Sequence, residues 1–231
     1  MPTTPSLESP DVPATVAILG AGRMARAVAG AAIRAGQRVV FGSRRPEAGR
    51  AAALAAGPRA SAGTLREALA ESDFVVLALR WQGLFEALAA TQGLWNGKTA
   101  VDLTNPATPD GTRLLIGLET SGAEEIARRA PEAEWVKALN HVYAEVLERG
   151  SEFGGPERPA AFYAGDSETA KRRAATWLSS LGFAPVDAGP LSSARWLEPV
   201  AQLMVELVEQ RGFDAGDTAL ALLRRGTGRS G

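Results

Sequence analysis

Two short segments hold the residues best suited to bind an anionic ligand. The first is Gly20-Ala21-Gly22-Arg23-Met24-Ala25, with the spacing G-x-G-x-x-A. Thr15 to Gly20 reads as a β-branched, apolar strand, and Arg23 to Ala35 as an alanine-rich helix stopped by Gly36. Between such elements Gly20 permits a tight turn, Gly22 leaves the backbone open to a pyrophosphate, and Ala25 lets helix and strand pack closely. The free N–H groups and the positive end of the helix complete an anion site, with Gly20, Gly22, Arg23 and Met24 as its contacts. The second segment is Gly42-Ser43-Arg44-Arg45, at the end of the next strand. An acidic residue there would receive a ribose 2′-hydroxyl. Ser43, Arg44 and Arg45 instead offer a hydroxyl and two planar guanidinium forks, which suit a 2′-phosphate. Together the segments predict NADP(H). The bland readings are small residues packing a helix on a strand, and solvated arginines.

Other candidates lie where later strands end. Leu79, Arg80 and Trp81 follow the apolar run from Asp73, and could line the crossing between adenosine and nicotinamide. Arg80 could equally be a surface cation and Trp81 a core residue. Asn105 and Pro106 follow the strand Thr99–Leu103; Asn105 could hold the nicotinamide ribose or carboxamide, or cap a turn. Asn140 and His141 end the strand Trp135–Leu139 and are the catalytic candidates. His141 titrates near neutrality and could serve as a general acid, or simply be a hydrogen-bonded turn histidine.

The elements that must place these residues alternate. Further helices are expected over Pro46–Ala56, Thr64–Glu71, Gln82–Ala90, from Glu119 or Ser121 to Arg129, and over Ser167–Leu181, and over a long segment from Ser192 to Gln210 that contains Pro199. Further strands are expected near Ala60, at Ala160–Ala164 and at Ala184–Asp187. This order predicts an α/β, Rossmann-like doubly wound parallel sheet with a small C-terminal α/β extension. The expected division is a leader over 1–13, an NADP-binding domain over 14–150, a substrate and dimerisation part over 151–223, and a tail over 224–231.

Composition removes several classes of function. The net charge is -1, which gives no general attraction to nucleic acid or to an anionic membrane. There are no cysteines and one histidine, so thiolate and histidine-based metal sites are excluded and no metal is expected. No apolar run is long enough to span a membrane, and the first residues do not read as a signal peptide. A cytoplasmic setting is expected.

With these motifs in view, the chain resembles the NADP oxidoreductases that depend on the deazaflavin coenzyme F420. The resemblance runs from about Thr15 to Leu207. It is carried by the glycine turn, Gly42-Ser43-Arg44-Arg45, Val101-Asp102-Leu103-Thr104-Asn105-Pro106 and Val136-Lys137-Ala138-Leu139-Asn140. Ala164-Gly165-Asp166, the run Gly182 to Leu191 and Ala194-Arg195-Trp196-Leu197-Glu198-Pro199 extend it. Met24-Ala25 is also similar to pyrroline-5-carboxylate and imine reductases, and the domain to the reductase portion of ferric reductases. The resemblance implies a homodimer in which a hydride passes between NADP(H) and a second ring, such as F420 or a flavin. A flavin, a ferric chelate or a small imine is the alternative acceptor, and a non-catalytic NADP-binding protein is the alternative from another class.

Overall fold

A computed structural model describes residues 12–223 and residue 225. Nearly all of the expected leader and tail lies outside the described residues. The strands are β1 (Thr15–Leu19), β2 (Arg38–Gly42), β3 (Ala60–Gly63), β4 (Phe74–Leu77), β5 (Thr99–Asp102), β6 (Glu134–Ala138), β7 (Ala160–Gly165) and β8 (Ala184–Asp187). The helices are α1 (Arg23–Arg34), α2 (Pro46–Ala56), α3 (Leu65–Glu71), α4 (Leu84–Ala90), α5 (Gly122–Arg129), α6 (Ala144–Arg149), α7 (Glu168–Ser180) and α8 (Ala194–Val205). A π-helical turn, Glu206–Gln210, continues α8 past its end.

All eight strands form one sheet in the order β3-β2-β1-β4-β5-β6-β7-β8. The first six are parallel, β7 pairs antiparallel with β6, and β8 runs parallel to β7. The extension beyond residue 150 therefore continues the same sheet with its direction reversed. Alternate strand residues feed opposite faces. Val16, Ile18, Phe41, Phe74 and Val76 pack with α1 and with Trp177 of α7, while Ala17, Leu19, Val75 and Leu77 pack with α3, α4 and α5. Burial on both faces explains why these strands read as continuous apolar runs.

The chain winds from β1 outward to β3, then crosses back to β4 on the other side of β1. That reversal opens a crevice at the carboxyl ends of β1 and β4, where doubly wound sheets bind ligands. Local signals behave as their chemistry dictates. Thr64 and Glu67 form a reciprocal capping box at α3, and Pro46 starts α2.

Two segments differ from the reading of the sequence. The helix expected over Gln82–Ala90 is split into a 3₁₀ turn, Trp81–Gly83, and α4. Its expected first turn contains Gly83, the least helix-favouring ordinary residue. Helix α6 was not expected; at 6 residues it is too short to show a period, and it is held by packing of Val146 and Leu147 in the core.

Candidate functional site

Gly20 has φ of 133°, a conformation that only glycine adopts readily, and a side chain there would strike the Ala78 carbonyl. Its N–H donates to Gly42 O at 2.8 Å, which ties the glycine turn to the end of β2. Gly22 caps α1 with no side-chain partner for the first helical N–H groups, and the space a Cβ would take is open. The turn therefore exposes backbone donors to a ligand from a fixed position. Ala25 is fully buried against the strand, as close packing requires.

Ser43, Arg44 and Arg45 lie beside that turn and share a cleft of about 450 Å³ with Gly20, Gly22, Leu79 and Arg80. Ser43 Oγ donates to Arg45 O at 2.9 Å and accepts from Arg45 N at 3.1 Å, which shapes the loop. Arg44 reaches across to α4 and pairs with Glu86 at 2.6 Å. The guanidinium groups of Arg45 and Arg80 have no partner among the described residues. Glu47 lies outside this group, exposed and paired with Arg50 at 3.5 Å.

A second cleft of about 450 Å³ continues from the first through Gly22, Ala78, Leu79 and Arg80 toward Asn105 and Asn140. Its outer wall is the loop after β5. Gln82 Nε2 holds that loop at Ala107 O (2.9 Å), and Gln202 of α8 holds it at Thr112 O (3.1 Å). Trp81 lines the cleft and also packs edge-on against Phe85, so it is both wall and core. Pro106 is buried behind the wall, against Gly122. Arg23 points elsewhere: it forms ion pairs with Glu145 (2.5 Å) and Glu148 (3.2 Å) of α6. The hydrogen bond to Glu148 raises its pKa and keeps it charged.

At the far end Asn105 Nδ2 donates to Asn140 O at 2.8 Å, and Asn140 Nδ2 donates to Asn105 Oδ1 (3.0 Å) and Leu197 O (2.9 Å). Those oxygens can only accept, so both amide orientations are determined. Asn140 Oδ1 is left buried without a donor, as is the Thr104 hydroxyl nearby. Unpaired buried polar atoms are costly, and both belong to residues that line the cleft.

A third cavity of about 350 Å³ adjoins this end, sharing Arg23, Met24, Asn105 and Asn140 and also lined by Tyr143, Met204 and the exposed Glu209. His141 lines it but is only 3% exposed. Its Nε2 lies 3.1 Å from Ala160 O and its ring packs on Phe162. Burial lowers its pKa and outweighs the bond to Ala160, so the ring is neutral near pH 7 with its one proton on Nε2. The hydrogen-bonded turn histidine is one of the two sequence readings of His141; its burial is not part of either.

Beneath the two asparagines is a buried ionic cluster that the sequence reading missed. Lys137 Nζ meets Asp102 Oδ2 at 2.8 Å and Glu198 Oε1 at 3.0 Å and donates to Thr104 O. Asp102 Oδ1 accepts from Thr104 N, and Glu198 accepts from Gly122 N and Ala123 N at the start of α5. Burial alone would lower the Lys137 pKa, but the two carboxylates outweigh it and raise it. Charges set inside the apolar runs Ala100-Val101-Asp102 and Trp135-Val136-Lys137 were the available signal, since buried charges require partners.

Residues 15–106 match the family model of NADP oxidoreductases, coenzyme F420-dependent. That segment carries the family's domain. A crystal structure from Arthrobacter sp. FB24, described as an F420-dependent NADP-reductase, is 29% identical, with a TM-score of 0.77 over 87% of this chain and 96% of that one. A hypothetical protein from Sinorhizobium meliloti is 28% identical, with a TM-score of 0.71 over 91% and 96%. Metalloreductase STEAP3 of Rattus norvegicus is 31% identical over 193 residues, 84% of this chain and 37% of the relative. The chain thus spans little more than a third of the curated relatives it matches. An NADP-dependent oxidoreductase family on a Rossmann-like fold agrees with the site described. No helix among the described residues is long and apolar enough to cross a membrane, and no metal-binding cluster occurs among them.

Proposed function

We propose that this chain is an NADPH-dependent reductase that binds the dinucleotide along the two joined clefts and a second substrate in the third cavity. The carrying observation is their continuity: one path runs from Arg45, over the open backbone at Gly22, to the unpaired Asn140 Oδ1. Arg45, Arg44 and Ser43 would hold the 2′-phosphate, and the N-terminus of α1 the pyrophosphate. Leu79, Arg80 and Trp81 would line the crossing. Thr104, Asn105 and Asn140 would hold the nicotinamide ribose and carboxamide, the last through the unpaired Oδ1. When bound, the reduced nicotinamide supplies a hydride. The protein's own part is to fix distance and orientation, and to keep the meeting point of the two clefts dry.

The open third cavity supports turnover over passive cofactor sensing, because neither Trp81 nor His141 fills it. F420 is the acceptor that the family's description points to, and the Arthrobacter structure supports it. Function as a cytoplasmic homodimer belongs to the same reading; Trp196 and Leu203, 63% and 52% exposed on α8, support a partner copy there. The test is a titration with NADPH and NADH, followed by rapid-mixing oxidation of bound NADPH against F420, FMN, a ferric chelate and a cyclic imine. Equal affinity for NADPH and NADH would remove the reading, as would bound NADPH that no acceptor oxidises.

A further inference from the structure

The third cavity has an apolar body and an unbalanced set of polar atoms. Met24, Val142, Met204 and Val205 supply the body. His141 is more than nine-tenths buried, and with Nε2–H given to Ala160 O its Nδ1 is a lone pair that no donor among the described residues meets. Glu209 has no cationic partner among the described residues. Arg23 is paired with Glu145, and also with Glu148 outside the cavity, so two carboxylates stand against one shared guanidinium around the opening. The Tyr143 hydroxyl is also buried and unpaired, as is Asn140 Oδ1 on the side shared with the second cleft.

A ligand that satisfies this wall must bring N–H donors, positive charge and a small apolar frame. We propose that the cavity binds a monocationic nitrogen carried on a small ring, a protonated cyclic amine or iminium, with Glu209 as counter-ion and His141 Nδ1 as hydrogen-bond acceptor. The proposal rests on the reading that the nicotinamide end of the dinucleotide lies at Asn105 and Asn140. An acceptor carrying phosphate or several carboxylates at this opening would face Glu145 and Glu209 with only Arg23 to offset them, so for this cavity the proposal takes the small-imine acceptor over F420.

Proton supply points the same way. The single proton of His141 is held by Ala160 O. Burial, with Glu209 and Glu145 nearby, pushes the Tyr143 hydroxyl up to about 12, so it is a poor acid. A neutral imine or a ketone would need a proton from this wall. An iminium carbon that gains a hydride turns its C=N pair into the nitrogen lone pair, and a neutral amine leaves without any proton from the protein.

Calorimetry tests the proposal on the full chain saturated with NADP⁺ near neutral pH. Pyrrolidine, a cation there, is expected to bind about tenfold more tightly than cyclopentanol, its neutral counterpart in size. Glu209→Gln, a change at an exposed site, is expected to weaken pyrrolidine about fivefold and leave cyclopentanol unchanged. Succinate is the anionic control and is expected not to bind. Equal affinity for pyrrolidine and cyclopentanol, succinate binding as tightly as pyrrolidine, or unchanged pyrrolidine affinity in Glu209→Gln overturns the proposal. The NADP⁺ titration is read separately. Normal NADP⁺ binding without a preference for pyrrolidine removes this proposal alone, whereas absent NADP⁺ binding removes the underlying reading and the proposal with it.

Discussion

Asn105 and Asn140 hold each other by two hydrogen bonds across the ends of β5 and β6, and Asn140 holds α8 by a third at Leu197 O. One amide therefore fixes the cofactor end of the cleft and the helix that covers the next cavity. Asn140→Ala removes the donor to the half-buried Asn105 Oδ1 and the side-chain donor to Leu197 O, which costs about 1–3 kcal/mol in all. It also removes the Oδ1 proposed for the nicotinamide side. Denaturant unfolding is expected to show that loss, and NADPH titration a drop in affinity of about tenfold. Unchanged NADPH affinity would place the nicotinamide elsewhere.

Arg44 and Arg45 are not equivalent. Arg44 is paired with Glu86, so a 2′-phosphate must compete for it, whereas the Arg45 guanidinium has no such partner. Arg45→Ala is expected to weaken NADPH by about 10- to 100-fold with little change for NADH, the loss of one charge-assisted phosphate contact. Glu86→Gln is expected to tighten NADPH by about twofold to fivefold, in keeping with an exposed ion pair. Both effects shrink as salt is raised. Parallel titrations of NADPH and NADH read them directly, and equal effects on the two cofactors would contradict the assignment.

Gly20→Ala is expected to be far more damaging than Gly22→Ala. At Gly20 the backbone is left-handed and the added Cβ meets the rigid Ala78 carbonyl, while at Gly22 the added Cβ meets nothing. Thermal unfolding separates them: Gly20→Ala lowers the midpoint strongly, and Gly22→Ala leaves it near wild type but weakens NADPH, because the methyl occupies ligand space. Similar midpoints for the two variants would refute this account.

The dinucleotide half was legible from sequence because each signal is local. Gly20, Gly22 and Ala25 read as a turn within one strand–helix unit, and Ser43 to Arg45 sit one unit later. Strand ends at Leu79, Asn105 and Asn140 followed from the alternation of elements. What was not legible depends on tertiary contact. Lys137, Asp102 and Glu198 come from β6, β5 and α8, and their pairing has no sequence period. The direction of β7 is set by how the loop after α6 returns to the sheet, which residue type does not encode. The environment of His141 depends on Ala160 and Phe162, which are brought in by that reversed strand.

The Lys137 cluster makes its own prediction. Lys137→Met leaves Asp102 and Glu198 buried without a cation, a change expected to cost about 3–5 kcal/mol. The wild-type pair of contacts raises the Lys137 pKa. Its contribution is therefore complete below the ordinary lysine value of about 10.4 and is lost as pH climbs from there through the folded value. Unfolding free energy measured against pH is expected to fall on that alkaline side in wild type. If Lys137→Met unfolds with wild-type stability at pH 7, the cluster contributes little.

His141 predicts the opposite limb, and it can be assigned without ambiguity because it is the only histidine in the chain. In the unfolded chain its pKa is about 6.5. In the fold, burial lowers it despite the bond to Ala160 O. Below pH 6.5 the unfolded chain takes up a proton that the folded protein refuses. Stability from this group is thus complete above about pH 6.5 and declines as pH falls from there toward the folded value. His141→Gln can keep a side-chain N–H for Ala160 O but has no proton to gain, so the variant is expected to lose the pH dependence between about 6.5 and the range where carboxylates titrate. The single imidazole resonance of the wild type provides the direct check. A midpoint at or above 6.5 in the folded protein would mean that His141 is reachable by solvent or by an acidic partner, and would restore it as a proton donor for the reaction.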